Sequence, residues 1–214
     1  MKGSNVVNSK KLDMADYARK AHFDYFKGMA YPYVGLTVNV DITDWLFKIK
    51  EHEYPFFLSF LYMVTNAANA VPEFRQRIAG DEIIEYESCT SSYTVALEDG
   101  TYCYCSVDCT KPFEEFLPYA KQAQEEAKQA ATLNDGEDKL SLFFISSFLG
   151  VTYTSIIQPV PQPADSNPRI TWCRYFEQNG RILLPISLLC NHALIDGYHM
   201  GLFYKNLEKQ MKEF

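Results

Sequence analysis

A histidine stands directly after an apolar run near the end of the chain, and an aspartate and a glycine follow it. The segment reads LLCNHALIDGYHM and places His192, Asp196 and Gly197 in the pattern H-x-x-x-D-G. Because the pKa of a free imidazole lies at ~6.5, a histidine there can take a proton from a hydroxyl or a thiol near neutral pH. Gly197 allows backbone angles that other residues resist. From the spacing alone, a purely structural histidine is the more common alternative.

The elements around this histidine indicate a layered α/β domain. Residues 181–190 are apolar on both faces, as in a central strand, so His192 lies in the connection that follows it, where reacting groups are often held. The turn pairs Asn179-Gly180 and Asp99-Gly100 predict two hairpins. The apolar spacing predicts helices over 14–28, 55–70, 111–132 and from 198, a short helix ending at 49, and strands over 33–40, 82–87, 92–97, 101–107, 140–147, 151–157, 169–177 and 181–190.

Length and composition exclude several classes of protein. The 214 residues are 47% hydrophobic, which suits a single domain over residues 1–214. The longest nearly apolar run, residues 55–64, is too short for a membrane span of ~20 residues. A net charge of −7 without a dense Lys/Arg cluster argues against nucleic acid. The N-terminus lacks the apolar core of a signal peptide, so we expect a cytoplasmic protein.

The six cysteines are expected to be reduced thiols. Cys103, Cys105 and Cys109 lie close together in the sequence, which raises the question of a metal site. Cys103 and Cys105 share one face of a predicted strand, and neither a C-x-x-C pair nor a nearby histidine completes a ligand set. We therefore expect no metal.

The histidine motif occurs within an ordered set of segments that spans most of the chain. These segments are RKAHF (19–23), VDIT (40–43), PEFR (72–75), YTV (93–95), FISS (144–147), IT (170–171), LPI (184–186) and HALIDG (192–197). The chain resembles the chloramphenicol acetyltransferase family in this order and spacing. H-x-x-x-D-G alone is shared by several groups of CoA-dependent acyltransferases, and the ordered set is more specific. The resemblance implies a two-layer mixed β-sheet sandwich covered by helices.

The resemblance also implies an activity and the residues that perform it. The reaction would be acetyl transfer from acetyl-CoA to a hydroxyl of chloramphenicol or a similar small molecule. His192 would be the general base, Ser146 would stabilise the oxyanion of the tetrahedral intermediate, and Thr171 would help hold an ordered water. Asp196 would pair with Arg19 and so have an architectural role. The His192 ring would be fixed through its own backbone carbonyl.

The family is a homotrimer with active sites between subunits, so the resemblance implies that His192 and much of the acceptor pocket come from different chains. By position, Phe26 and Tyr102 would line the acceptor pocket. Arg174 and Tyr175 would lie near the nucleotide end of CoA. The implied partners are a small hydroxylated acceptor and further copies of the chain, with no metal.

Several positions depart from the family pattern. Asn191 replaces the first of two adjacent histidines, Phe144 replaces an asparagine, and Leu149 and Gly150 replace Pro-Trp. His52 takes the place of a basic residue that the family uses for the CoA phosphate. These changes leave open a different acceptor, or a trimer that binds an aromatic ligand without turnover. The acyltransferase core of 2-oxoacid dehydrogenase complexes is a weaker alternative, since no lipoyl domain precedes the sequence.

Overall fold

The computed structural model describes residues 8–136 and 138–214, which contain ten β-strands, five α-helices and two short 3-10 helices. The strands are β1 (Ser9–Lys11), β2 (Tyr33–Asp41), β3 (Gln76–Ala79), β4 (Glu82–Tyr86), β5 (Thr90–Ala96), β6 (Tyr102–Val107), β7 (Leu142–Phe148), β8 (Arg169–Cys173), β9 (Phe176–Gln178) and β10 (Arg181–Asn191). The helices are α1 (Lys20–Phe26), α2 (Thr43–Glu51), α3 (Phe56–Asn69), α4 (Phe113–Ala130) and α5 (Gly197–Glu213).

A seven-stranded mixed sheet is the frame on which the site is built. Its order is β2-β10-β8-β7-β5-β6, and β9 pairs with the beginning of β10. The pairs β5–β7 and β7–β8 are parallel, and the other pairs are antiparallel. A second, three-stranded sheet has the order β1-β4-β3. Sheets and packed helices confirm the mixed α/β architecture that the sequence predicts.

The helices α3 and α5 pack on the same face of the large sheet. Trp172 of β8 lies with its ring centroid 5.1 Å from that of Phe60 on α3, and Tyr204 of α5 donates a hydrogen bond to the Ile186 carbonyl of β10. Trp172 and Ile186 are both 0% exposed. Burial of such large apolar side chains contributes about 1.5–3 kcal/mol each. Because side chains alternate along a strand, the residues next to these in sequence point to the opposite face.

That opposite face carries a row of hydroxyl groups across four neighbouring strands. Thr37 on β2 pairs with Ser187 on β10, Ser187 pairs with Thr171 on β8, and Thr171 pairs with Ser146 on β7. The hydroxyls of Thr37 and Ser187 lie 2.6 Å apart. The register of the sheet therefore brings Ser146 and Thr171 side by side.

The strongest local signals of the sequence are confirmed. β2 covers the predicted strand 33–40, and the Asn179-Gly180 turn joins β9 and β10 as a hairpin. Both turn residues have positive φ angles, 52° and 72°, which Asn and Gly adopt with the least strain. The apolar helix predicted over 55–70 is α3, and the hairpin at Asp99-Gly100 joins β5 and β6.

Two predicted elements are wrong, and the single strand predicted over 169–177 is interrupted at residues 174–175, between β8 and β9. Residues 151–157 form no strand, because they contact the sheet through isolated bonds, such as that from the Arg174 N–H to the Val151 carbonyl, rather than a ladder. The helix predicted over 14–28 begins only at Lys20. Asp13 accepts a hydrogen bond from the Ala15 N–H, and this Asx turn replaces the expected first helical turns.

Two further expectations concern the chain as a whole. None of the described helices is long and apolar enough to cross a membrane. The single domain over residues 1–214 stays a prediction. Residues 1–7, part of the N-terminal segment that lacks the apolar core of a signal peptide, lie outside the described residues.

Candidate active site

His192 is anchored where β10 ends and the α1–β2 connection passes beside it. Its backbone N–H donates to the Pro32 carbonyl at 2.7 Å, one residue after the last pair of the β10–β2 ladder. The Phe26 ring at the end of α1 lies with its centroid 4.0 Å from that of the imidazole. The ring is therefore held between a strand end and an aromatic side chain.

The protonation pattern of the imidazole follows from one contact. Nδ1 of His192 lies 2.9 Å from the Ile195 carbonyl oxygen. A carbonyl can only accept a hydrogen bond, so Nδ1 carries the proton, and in the neutral ring Nε2 is left with a free lone pair. An unprotonated Nε2 is what a general base requires.

The expected partner of the ring is wrong in one respect, because the carbonyl is that of Ile195 and not that of His192 itself. The backbone N–H groups of Leu194 and Ile195 both donate to the Asn191 carbonyl, at 3.1 and 3.0 Å. These bonds curl the chain into a tight turn. The turn brings the Ile195 carbonyl oxygen next to Nδ1 of the His192 imidazole.

Asn191, which replaces a histidine of the family pattern, stabilises the same turn. Its side-chain oxygen accepts a hydrogen bond from the Ala193 N–H at 3.0 Å, and its amide donates to the Asp165 carbonyl at 2.9 Å. Asn191 is 2% exposed. The departure from the family pattern thus leaves a residue whose side-chain amide is satisfied by the turn and by the Asp165 carbonyl.

Asp196 pairs with Arg19 and, among the described contacts, has no hydrogen bond to the His192 imidazole. Nη1 of Arg19 lies 2.6 Å from Oδ2 of Asp196, and Oδ1 caps α5 by accepting from the Tyr198 N–H. Burial alone would raise the pKa of Asp196, but the hydrogen bond from Arg19 and the electrostatic effects of His199 and Arg19 outweigh it and lower that pKa. The pair joins the segment before α1 to the turn that holds His192.

A separate cleft contains Ser146, Thr171 and Tyr102. It has a volume of about 520 Å³ and opens on the hydroxyl-bearing face of the large sheet. Gln158 also lines it and donates from Nε2 to the Thr171 hydroxyl at 2.8 Å. Asp135 lies in the same cleft. No sequence pattern points to Gln158 or Asp135, since both lie on irregular segments whose side-chain positions depend on tertiary contacts.

One chain does not bring His192 and Ser146 together. The residue before His192, Asn191, lies four residues along β10 from Ser187, or about 13 Å, and Ser146 is two strands further across, about 10 Å. His192 is not among the residues that line the Ser146 cleft. Of the two expected acceptor-wall residues, Phe26 lies with His192 and Tyr102 with Ser146.

The residues expected near CoA lie outside this cleft. Arg174 is exposed, and Tyr175 is 38% exposed with its ring centroid 5.8 Å from that of Phe56. The His52 ring stacks on Tyr54 at a centroid distance of 5.3 Å. An exposed guanidinium can bind a phosphate and an exposed aromatic ring can stack on an adenine.

The contacts at Phe144 and the cysteines bear on the other expectations. The Phe144 ring lies in the cleft, 5.4 Å from the guanidinium carbon of Arg169.

All six cysteines are free and buried. Across residues 8–136 and 138–214, no group of three or more His, Cys, Asp or Glu side chains could hold a metal ion.

Comparison with known proteins gives concordant matches. The family model described as "Chloramphenicol acetyltransferase" matches residues 7–208. A chloramphenicol acetyltransferase of Klebsiella sp. is 27% identical over 212 residues, covering 98% of this chain and 96% of the relative, and chloramphenicol acetyltransferase 3 of Escherichia coli is 27% identical over 206 residues, covering 95% and 97%. A solved chloramphenicol acetyltransferase structure matches the fold with a TM-score of 0.88 at 24% identity, covering 95% of this chain and 100% of that one.

The ion pair between Arg19 and Asp196 gives a test by stability. Asp196→Asn keeps an N-cap but removes the charge, and we expect the free energy of unfolding to fall by about 1–3 kcal/mol at neutral pH, since the pair is only partly buried. The folded-state pKa of Asp196 lies below its unfolded value. Its stabilisation is therefore present above the unfolded pKa and is lost as pH falls through the folded one.

Urea denaturation at neutral pH and in acid measures this difference. The gap between wild type and Asp196→Asn should close in acid. Asp24→Asn, which breaks the exposed pair with Lys20, is the matched control and should lose less stability. An equal loss in the two variants, or a gap that persists in acid, would contradict the role given to the pair.

Proposed function

Because the chain belongs to the chloramphenicol acetyltransferase family and is an acyltransferase, we propose that it transfers the acetyl group of acetyl-CoA to a hydroxyl of chloramphenicol or a similar small molecule. The observation that carries the proposal is the hydrogen bond between Nδ1 of His192 and the Ile195 carbonyl. It leaves Nε2 as the proton acceptor that such a transfer needs. Acetyl-CoA is an intracellular metabolite, so the proposal implies a cytoplasmic enzyme.

In the proposed reaction, Nε2 of His192 removes the proton of the acceptor hydroxyl. At the same time the hydroxyl oxygen attacks the thioester carbonyl of acetyl-CoA. The new C–O bond gives a tetrahedral intermediate, and the Ser146 hydroxyl donates to its oxyanion. Loss of one such donor typically costs about 3 kcal/mol of transition-state stabilisation. The intermediate then collapses with cleavage of the C–S bond, and the proton held by His192 passes to the departing CoA thiolate.

Thr171 is proposed to support the oxyanion side of the reaction. Its hydroxyl lies beside Ser146 in register and accepts a hydrogen bond from Gln158. A hydroxyl that accepts from Gln158 still has its own proton to donate. That proton can go to an ordered water or directly to the intermediate.

The proposed site is completed by a second copy of the chain. His192 and Ser146 lie too far apart in one chain for both to reach the same acceptor, as the strand register shows. Exposed apolar side chains lie at each half: Tyr25, whose ring centroid is 5.0 Å from that of Phe26, is near His192, and Phe148 and Ile157 line the cleft. Large exposed apolar residues of this kind mark interaction surfaces. We therefore place His192 of one subunit against the Ser146 cleft of the next, in a homotrimer.

The part of the proposed site that would bind CoA is less enclosed than the part that would bind the acceptor. Arg174 and Tyr175 are proposed to contact the nucleotide portion, and both are accessible. Arg19 and Asp196 are proposed to support the His192 turn from behind. Phe26 and Tyr102 are proposed to form opposite walls of the acceptor pocket, since each lies in a different half of the site.

The proposed base is tested by activity. We expect purified protein with acetyl-CoA and chloramphenicol to give O-acetylated product, and His192→Ala to lower kcat/KM by about 10²–10⁴-fold, because the proton of the hydroxyl loses its acceptor. Mass spectrometry of the product and release of CoA thiol are the measurements. His22→Ala, which changes an exposed histidine on α1, is the matched control.

An acceptor panel decides between this activity and simple ligand binding. Turnover of any hydroxylated aromatic acceptor that is lost in His192→Ala supports the enzyme. Binding of these compounds by calorimetry with no acetylated product would contradict it. Unchanged turnover in His192→Ala would contradict the assigned base.

The placement of the site between subunits is tested by mixing two inactive variants. His192→Ala and Ser146→Ala should each have little activity, whereas subunits mixed at equal ratio should regain about a quarter of the wild-type activity. This is because one subunit's histidine can meet the next subunit's serine in a heterologous interface. If both residues acted within one chain, mixing would restore nothing, and that result would overturn the arrangement.

A further inference from the structure

The cleft that holds Ser146 has an unbalanced charge. Of the described residues that line it, only Asp135 and Arg169 carry charged side chains. Arg169 is neutralised, because its Nη1 and Nη2 donate to the two carboxylate oxygens of Asp165 at 2.9 and 2.8 Å. The charge left in the cleft is therefore the carboxylate of Asp135.

Asp135 is fixed by a neutral partner and not by a cation. Its Oδ1 accepts a short hydrogen bond from the hydroxyl of Ser92, which is 3% exposed on β5. In the described parts of the chain, no Lys, Arg or His side chain forms an ion pair with Asp135. A half-buried carboxylate with a free oxygen can form a charge-assisted contact with a ligand.

Two tyrosine rings stand on the same wall of the cleft. Tyr102 and Tyr104 point to this face of β6, with ring centroids 6.0 Å apart. Burial, then the charges of Tyr102 and Asp135, raise the pKa of Tyr104, so the carboxylate and this ring lie within electrostatic reach. Aromatic faces beside a carboxylate form the combination that binds organic cations.

We propose that the acceptor of this enzyme carries a cationic group, held by Asp135 and the two tyrosine rings, in addition to the hydroxyl that is acetylated. The proposal rests on the function proposed above and narrows its substrate class: cationic hydroxylated acceptors are used more efficiently than uncharged ones such as chloramphenicol. A neutral acceptor of the same shape would leave the carboxylate partly desolvated without a partner, which disfavours its binding.

The geometry also sets the spacing between the two groups of the acceptor. Ser92, which holds Asp135, pairs with Phe144, and Ser146 lies two residues further along β7. The Ser92 and Ser146 positions are thus about 8 Å apart. One benzene ring with a short hydroxyalkyl arm on one side and an ammonium group on the other spans this distance.

A matched pair of acceptors tests the proposal. One is 2-(4-trimethylammoniophenyl)ethanol, and the other is its uncharged isostere 2-(4-tert-butylphenyl)ethanol; neither has a second acetylatable group. With acetyl-CoA and the wild-type protein, we expect kcat/KM for the cationic compound to be about tenfold higher, which corresponds to one partly exposed cation contact. Equal values, or a preference for the neutral compound, would overturn the proposal.

Variants at one position assign the preference to Asp135. Asp135→Asn should abolish the preference, whereas Asp135→Glu, which keeps the charge, should retain most of it. Asp81→Asn removes the same charge from a side chain that is 94% exposed and outside the cleft, and should leave the preference unchanged. A preference that persists in Asp135→Asn would overturn the assignment.

A binding measurement distinguishes failure of the cation-site proposal from failure of the proposed O-acetyltransferase function. If neither compound nor chloramphenicol is acetylated, the O-acetyltransferase function fails. Calorimetry with the same two compounds then still tests the cleft. Tighter binding of the trimethylammonium compound that is lost in Asp135→Asn supports a cation site, and equal binding overturns it.

Discussion

The hydrogen bond from Nδ1 of His192 to the Ile195 carbonyl is the contact on which the proposed chemistry depends. It sets the tautomer of the ring and aims Nε2 away from the turn. The bond exists because the Asn191 carbonyl and side chain hold the turn from within, at 3.0–3.1 Å. Arg19 and Asp196 connect that turn to the segment before α1. A carbonyl, unlike a carboxylate, orients the imidazole without adding a charge beside it.

The large sheet places the proposed catalytic groups in two separate regions. Its register aligns Ser146 with Thr171, so the oxyanion side of the proposed site is built from neighbouring strands. His192 lies instead directly after the end of β10, next to β2 at the edge of the same sheet. Under the proposed function these two regions are halves of one site, and this is why we propose a cyclic assembly that joins them. The exposed apolar side chains around both halves are consistent with such an assembly.

Features that depend on local patterning and on the order of motifs could be predicted from the sequence. The family resemblance and the mixed α/β architecture are confirmed, because H-x-x-x-D-G and the strand alternation are local features. The failed strand over 151–157 shows the limit, since β-branched residues favour a strand but only a partner strand creates one. The contact between Ile195 and His192, and the place of Asp135 in the cleft, depend on how distant segments pack. No single-sequence pattern contains that information.

Nitrogen NMR of the His192 imidazole tests the central claim most directly. In isotope-labelled protein, with the signals assigned by their loss in His192→Gln, the neutral ring should show a protonated Nδ1 and an unprotonated Nε2. The Nδ1 proton should also exchange slowly, because the Ile195 carbonyl holds it. A neutral ring protonated at Nε2 would remove the lone pair assigned to proton abstraction and contradict the account.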